Sequence, residues 1–178
     1  MGRVIPLVFW TIFVIIGQLS AQESEGIPWT SERKLAWSDF RAIPEDRQAV
    51  AAMTASGISY QFAAEMRNED EVHLTYTVDA YFYPDKSWYH PALADSLILG
   101  HEQLHFDIAE VFARKMKKQL SETRFSMEVK KEVKTIYTAI IKELNAFQNT
   151  YDQETNYARN KVNQLLWEQK VHLLLASE

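Results

Sequence analysis

The chain of 178 residues contains no cysteine, and that absence removes several kinds of chemistry at once. It excludes disulfide bonds, a cysteine nucleophile and a lipid attached through a cysteine thiol. Glycine occurs only five times, and the sequence has neither a glycine-rich loop of the type that cradles phosphate groups nor a Gly-x-Ser-x-Gly elbow. The sequence therefore does not indicate a nucleotide-dependent enzyme or a hydrolase with a serine or cysteine nucleophile.

Basic residues are also fewer than acidic residues. The chain has 19 lysine and arginine residues against 24 aspartate and glutamate residues, which gives a formal net charge of −5. Nucleic acids and anionic membrane surfaces attract proteins with an excess of positive charge. We therefore expect neither of them as a partner.

The N-terminus has the form of a secretory signal peptide. A charged start, Met1-Gly2-Arg3, precedes an uncharged run from residue 4 to residue 17, and Leu19-Ser20-Ala21 offers a small residue at the cleavage position. A membrane anchor is the alternative, but it needs roughly 20 apolar residues. We predict a signal peptide at 1–21, a polar lead-in at 22–34 and a single domain at 35–176. The mature protein is then secreted or periplasmic, without stable insertion into a membrane.

One stretch carries most of the chemical information: His101-Glu102-Gln103-Leu104-His105. In a helix, the two histidines lie about 40° apart on one face and one turn apart. Two imidazole nitrogens so placed can reach one Zn²⁺ ion. Glu102 lies about 100° round the helix from His101, where a carboxylate can take a proton from water without being a ligand. The alternative is that these residues occur at this spacing by chance.

The hydrophobic pattern predicts an α+β fold, with a small antiparallel sheet followed by long helices. Alternating residues at 57–64 and 72–82 predict a hairpin, and a shorter alternation at 35–40 predicts an extended segment. If the strand at 72–82 forms the edge of the sheet, it can align a peptide by strand addition. A central helix is expected from about Pro91 to Leu120, a second from Ser126, and a third ending near Leu175.

A catalytic zinc site needs a third protein ligand. The remaining histidines, at positions 73, 90 and 172, are poorly placed for that role. The second helix must return antiparallel to the central one, and about 25 residues at 1.5 Å each bring the segment 151–157 level with the two histidines. That segment offers Asp152, Glu154 and Tyr157 as ligands. The alternative is that its carboxylates only cap and solvate the third helix.

Several motifs together are similar to a bacterial secreted family called domain of unknown function 922. They are Trp37-Ser38-Asp39-Phe40, Ser87-Trp88, the residues from His101 to Ile108, Tyr151 to Tyr157, Gln164 and Trp167. The resemblance implies a zinc-dependent protease of the zincin-like type, with the metal motif on the central helix. It also implies a histidine as third ligand two residues after Thr155, where this chain has Tyr157. A tyrosine oxygen binds zinc less readily, because its ordinary pKa is about 10.

Three functional hypotheses follow from the sequence. The first is an exported zinc metallopeptidase that acts on a peptide or protein substrate, with Glu102 as general base, His101 and His105 as zinc ligands, and Asp152, Glu154 or Tyr157 as the third. The second is a catalytically impaired protein of the same fold that acts as a binding or structural protein of the cell envelope. The third is a helical interaction module in which the motif is accidental.

Overall fold

The computed structural model describes residues 26–44, 50–68 and 71–177, and the predicted signal peptide at 1–21 lies outside them. Five strands precede three helices, which confirms the predicted α+β class. The strands are β1 (Ile27–Pro28), β2 (Ala52–Met53), β3 (Ser56–Asn68), β4 (Glu71–Phe82) and β5 (Trp88–Tyr89), and the helices are α1 (Ser96–Glu122), α2 (Val129–Thr155) and α3 (Lys161–Ala176).

The β3–β4 hairpin forms the main part of the sheet. It forms because apolar and polar residues alternate along both strands. Ile58 pairs with Ala80 and Tyr60 pairs with Val78, so that their side chains share one face. Ile58, Val78 and Ala80 are buried on that face, and His73 and Thr75 are exposed on the other. The predicted hairpin is therefore confirmed.

β4 is the central strand of its sheet, not the edge. The strand order is β1-β4-β3, because Ile27 from the predicted lead-in pairs with Phe82 on the side of β4 that faces away from β3. The condition for strand addition at 72–82, that this strand forms the edge of the sheet, is therefore not met. A second small sheet, made of β2 and β5, continues from the end of the hairpin.

The prediction of a short strand or extended segment at 35–40 is wrong. Trp37–Asp39 forms a turn of 3₁₀ helix, closed by the Asp39 carboxylate, which accepts a hydrogen bond of 2.9 Å from the Ala36 backbone nitrogen. Arg33 reaches the same carboxylate at 2.8 Å. Hydrogen bonds that an aspartate side chain accepts from the nearby backbone compete with extended structure. The alternation of apolar residues carries no information about such bonds.

The central helix α1 begins at Ser96, later than the predicted Pro91. Asp95 is the reason, because its side chain accepts a hydrogen bond of 2.8 Å from the Ile98 backbone nitrogen and so caps the helix. Below the histidines, Ile108, Ala109 and Ala113 are fully buried and pack into the hydrophobic core. This packing fixes which face of α1 turns inward.

The second helix returns alongside α1 in the opposite direction, as the sequence predicted. Lys115 of α1 forms an ion pair with Glu143 of α2, and His101, further towards the start of α1, contacts Asp152, further towards the end of α2. The two helices are therefore antiparallel, and the end of α2 arrives level with the start of α1.

A tight turn then directs α3 back along α1. Asn156, Tyr157 and Ala158 have φ angles of 47°, 53° and 69°, in the left-handed region that residues other than glycine seldom occupy. After this turn, Gln164 lies near His101, and the Leu175 carbonyl accepts a hydrogen bond of 2.7 Å from Arg114. α3 thus runs parallel to α1 and completes a layer of three helices.

Residues 26–34 of the predicted lead-in are attached to the domain. Besides the β1–β4 pairing, Trp29 donates a hydrogen bond of 2.7 Å from Nε1 to Asp107, a buried carboxylate of α1. Gln103 donates to the same oxygen at 2.7 Å. Asp107 is thus a structural anchor and not a metal ligand. Among the described residues, no helix is long and apolar enough to cross a membrane.

Candidate metal centre

Two imidazole nitrogens and one carboxylate oxygen converge at the point where the start of α1 meets the end of α2. Nε2 of His101 lies 3.1 Å, and Nε2 of His105 3.0 Å, from the same oxygen, Oδ1 of Asp152. The three ligand atoms all lie within 4.8 Å of one another. In the part of the chain that the structure describes, these three residues are the one group of histidine and acidic residues with this convergence.

The centre is buried on one side and reaches solvent on the other. The side chain of His101 is 6 % exposed, whereas those of His105 and Asp152 are 14 % and 24 % exposed. A ligand entering from solvent therefore meets His105 and Asp152 first. This arrangement leaves an accessible side, as a catalytic site requires and a closed structural site does not.

The hydrogen bonds around His101 determine where its proton lies. Gln164 places Oε1 at 3.1 Å from Nδ1 of His101, while its Nε2 donates to the Glu168 carboxylate at 3.1 Å. A carboxylate only accepts, so the amide nitrogen must face Glu168 and the amide oxygen must face the imidazole. His101 therefore donates from Nδ1. Nε2 faces Asp152, with a lone pair in the neutral ring and with a second proton in the imidazolium form.

Either a proton on Nε2 or a metal ion can hold His101 and Asp152 at this distance. A lone pair on Nε2 and a carboxylate oxygen 3.1 Å apart repel each other unless a proton or a metal ion lies between them. His105 brings a second nitrogen to the same oxygen at 3.0 Å. Ligand atoms of a tetrahedral zinc ion lie roughly 3.3 Å apart, because each bond is about 2.0–2.1 Å long. This group of two nitrogens and one oxygen could hold a metal ion.

Asp152 stays ionised in this environment. Burial on its own would raise the pKa of its carboxyl group, but the hydrogen bonds and charges of His101 and His105 outweigh burial and hold the pKa well below its usual range. The carboxylate is therefore in the form that binds a cation.

Tyr151 holds the His101 ring from its other face. The two rings are stacked, with centroids 4.5 Å apart and planes 24° apart, and the phenol donates to Gln164 Oε1 at 2.9 Å. Burial raises the pKa of Tyr151, an effect that exceeds the opposing effect of its hydrogen bond with Gln164. The side chain therefore remains a neutral phenol and a hydrogen-bond donor.

Glu102 lies on α1 beside His101, and the residue as a whole is buried. The residue is 5 % exposed, and no hydrogen-bond partner for its side chain is found among residues 26–44, 50–68 and 71–177. Its negative charge contributes to the raised pKa of Tyr151, which places it within electrostatic range of the residues that surround His101.

The structure separates the three candidates for the third ligand. Asp152 joins the two histidines, as described above. The Glu154 carboxylate instead accepts a hydrogen bond of 2.8 Å from Nε1 of Trp167 on α3. Tyr157 is 61 % exposed in the left-handed turn after α2, and its phenol has no hydrogen bond to either histidine.

The remaining histidines are not part of this group. His73 is exposed on the outer face of β4, and His172 is exposed on α3. His90 follows β5 and packs its ring against Trp88, with centroids 5.3 Å apart.

Sequence reasoning did not identify two residues of this site, Gln164 and Glu168. Gln164 belonged to the resemblance but had no role assigned to it, and Glu168 was not considered. Helical periodicity predicts that both residues lie on one face of α3, because they are four residues apart. It does not predict that this face contacts His101. Only the turn at 156–158 determines that.

Comparison with known proteins identifies the family of this chain but no activity. A family model described as "Bacterial protein of unknown function (DUF922)" matches residues 32–159. The chain belongs to this family. A search of curated proteins and a search of solved structures each found no match. The match includes α1 and α2, with all three candidate ligands and Glu102, and it ends just before α3.

Proposed function

We propose that this DUF922 protein is an exported, zinc-dependent metallopeptidase of the zincin-like type. The observation that supports this proposal best is the convergence of two Nε2 atoms on one Asp152 oxygen, next to the buried residue Glu102. Two histidines and a carboxylate are the ligand set of well-known zinc peptidases. Asp152 takes the position that the resemblance assigns to a histidine at 157.

In the proposed reaction, His101, His105 and Asp152 would hold a zinc ion, and its chemical contribution there would be Lewis acidity. Glu102 accepts the proton from the attacking water and delivers it to the nitrogen of the leaving amine.

The free edge next to the site suits an extended peptide. β3 pairs with β4 alone among the described residues, and the segment that leads into it contacts the backbone of α1 beside the motif. Thr54 Oγ1 lies 3.4 Å from the Glu102 carbonyl oxygen, and Ser56 Oγ lies 3.5 Å from that of His105. We propose that a substrate peptide adds to this edge as a further strand and presents one peptide bond to Glu102.

The test combines metal content with hydrolysis. Purified mature protein is expected to hold close to one equivalent of zinc, to cleave members of a broad peptide library, to lose this activity in a chelator, and to regain it on addition of zinc. Absence of zinc binding would contradict the proposal. Stoichiometric zinc without cleavage of any peptide would instead support the second candidate, a binding or structural protein of the cell envelope with the same metal centre.

Export is part of the same proposal, and it has its own test. The uncharged run at 4–17 and the small residue Ala21 motivate it. N-terminal sequencing of the protein from a bacterial periplasmic or culture fraction is expected to begin at Gln22. A protein that retains Met1 and remains in the cytoplasm would contradict export without affecting the metal centre.

A further inference from the structure

A chain of hydrogen bonds links the third helix to the first metal ligand. Gln164 of α3 is 1 % exposed, and its Oε1 accepts from Nδ1 of His101 and from the phenol of Tyr151. Its Nε2 donates to Glu168, one turn further along α3. Both ends of this amide are therefore used, and it cannot rotate without breaking three contacts.

The direction of these bonds bears on metal binding. A histidine that binds a metal through Nε2 must carry its proton on Nδ1, and the group that accepts this proton fixes the tautomer. Without an acceptor at Nδ1, the proton can move to Nε2, where Asp152 accepts it. An incoming metal ion then has to displace that proton, and its apparent affinity falls.

We infer that Gln164 is a positioning residue, which keeps the His101 proton on Nδ1 and thereby leaves Nε2 free for the metal, while Glu168 fixes the orientation of the Gln164 amide. This inference rests on the metal centre of the proposed function. It also makes α3, which begins after the last residue matched by the family model, a necessary part of the site.

Zinc affinity in four proteins tests this inference. The four are the wild type and three variants. Gln164→Leu removes the hydrogen-bond acceptor at similar side-chain volume, and Gln164→Glu combined with Glu168→Gln restores an acceptor and a donor in exchanged positions. Gln169→Leu is a control on the exposed side of the same helix. Dissociation constants are measured by titrating zinc against a chromophoric chelator. We expect Gln164→Leu to weaken binding by roughly 10–100-fold, as loss of an outer hydrogen-bond partner does. The exchanged pair and the control are expected to remain within about threefold of the wild type.

Nuclear magnetic resonance of the zinc-loaded protein provides a readout that a purely structural role does not change. In the wild type and in the exchanged pair, the Nδ1 proton of His101 is expected to be protected and visible; in Gln164→Leu it is expected to exchange with solvent. If Gln164→Leu does not fold, Glu168→Leu, at a half-buried position, frees the amide to rotate and should weaken zinc binding by about three- to tenfold.

The outcomes separate this inference from the proposed function. Equal zinc affinity of wild type and folded Gln164→Leu, or an unchanged Nδ1 proton in that variant, would overturn the role of Gln164 and leave the metal centre intact. Failure of the exchanged pair to recover affinity while Gln164→Leu binds weakly would also overturn it. A wild type that binds no zinc would overturn the metal centre, and the inference with it.

Discussion

Oδ1 of Asp152 lies 3.0 Å from Nε2 of His105 and 3.1 Å from Nε2 of His101. His101 precedes Asp152 by 51 residues in the chain. One carboxylate oxygen therefore has two imidazole nitrogens within hydrogen-bond distance. Either a proton or a metal ion can lie between these atoms, and the proposed function places a metal ion there. The predictions below test that cation, its ligands and the buried carboxylate beside it.

Replacement of Glu102 by glutamine is expected to separate catalysis from metal binding. The variant keeps the shape and loses the base, so zinc affinity should stay the same while kcat for peptide cleavage falls by roughly 10²–10⁴-fold. Atomic absorption and a fluorogenic peptide assay measure the two quantities. Glu122→Gln, at the exposed end of the same helix, is the matched control and should retain full activity. Wild-type cleavage by Glu102→Gln would show that another group is the base.

The three acidic or phenolic candidates for the third ligand should differ sharply in zinc binding. Asp152→Asn removes the charge at the oxygen that faces both histidines, and we expect its dissociation constant for zinc to rise by more than the roughly 10–100-fold typical of an outer partner. Glu154→Gln and Tyr157→Phe should bind zinc like the wild type, because their side chains lie elsewhere. Weak binding by Tyr157→Phe together with tight binding by Asp152→Asn would reverse this assignment.

Zinc should stabilise the folded protein. A ligand that binds only the folded state at 100 times its dissociation constant adds about 2.7 kcal/mol to the free energy of unfolding. Thermal unfolding of the wild type is thus expected to move to higher temperature on addition of zinc and back on addition of a chelator. His105→Asn should lose this response, while His172→Asn, at an exposed position on α3, should keep it. An identical response in both variants would argue against the centre.

Acid should destabilise the metal-free protein partly through Asp152. The pKa of Asp152 in the folded state lies below the ordinary value of about 3.9 that it has in the unfolded state. At a pH between these two pKa values, the unfolded state therefore binds more protons than the folded state. The stabilisation is complete above about pH 4 and is lost as the pH falls towards the folded-state pKa. Chemical unfolding below pH 4 should therefore show a steeper loss of stability in the wild type than in Asp152→Asn. Equal slopes would contradict the lowered pKa.

Tyr151→Phe tests the buried phenol. The change leaves the stacked ring on His101 and removes the hydrogen bonds to Gln164 and to the His101 carbonyl. We expect the free energy of unfolding of the metal-free protein to fall by about 1–2 kcal/mol, as measured by urea titration. Tyr157→Phe is the matched control, because its ring is mostly exposed, and it should change stability by less than about 0.5 kcal/mol. Equal effects at both positions would mean that the buried hydrogen bonds do not contribute.

The sequence by itself determined the parts of this protein that depend on local geometry. His101 and His105 share a helix face because any α-helix places residues four positions apart one turn above each other. The β3–β4 hairpin follows in the same way from a period of two, since alternate side chains of a strand share a face. Neither result depends on what the rest of the chain does.

Only the tertiary structure decided which residue of the segment 151–157 meets the histidines. Residues 152 and 154 lie about 200° apart round a helix, so only one of them can face α1, and the rotation of α2 is set by its packing against the core. The helix ends at Thr155, which takes Tyr157 out of reach. The contacts of Gln164 and the addition of Ile27 to the sheet were likewise decided by packing, because they join elements that are distant in the chain and have no local signature.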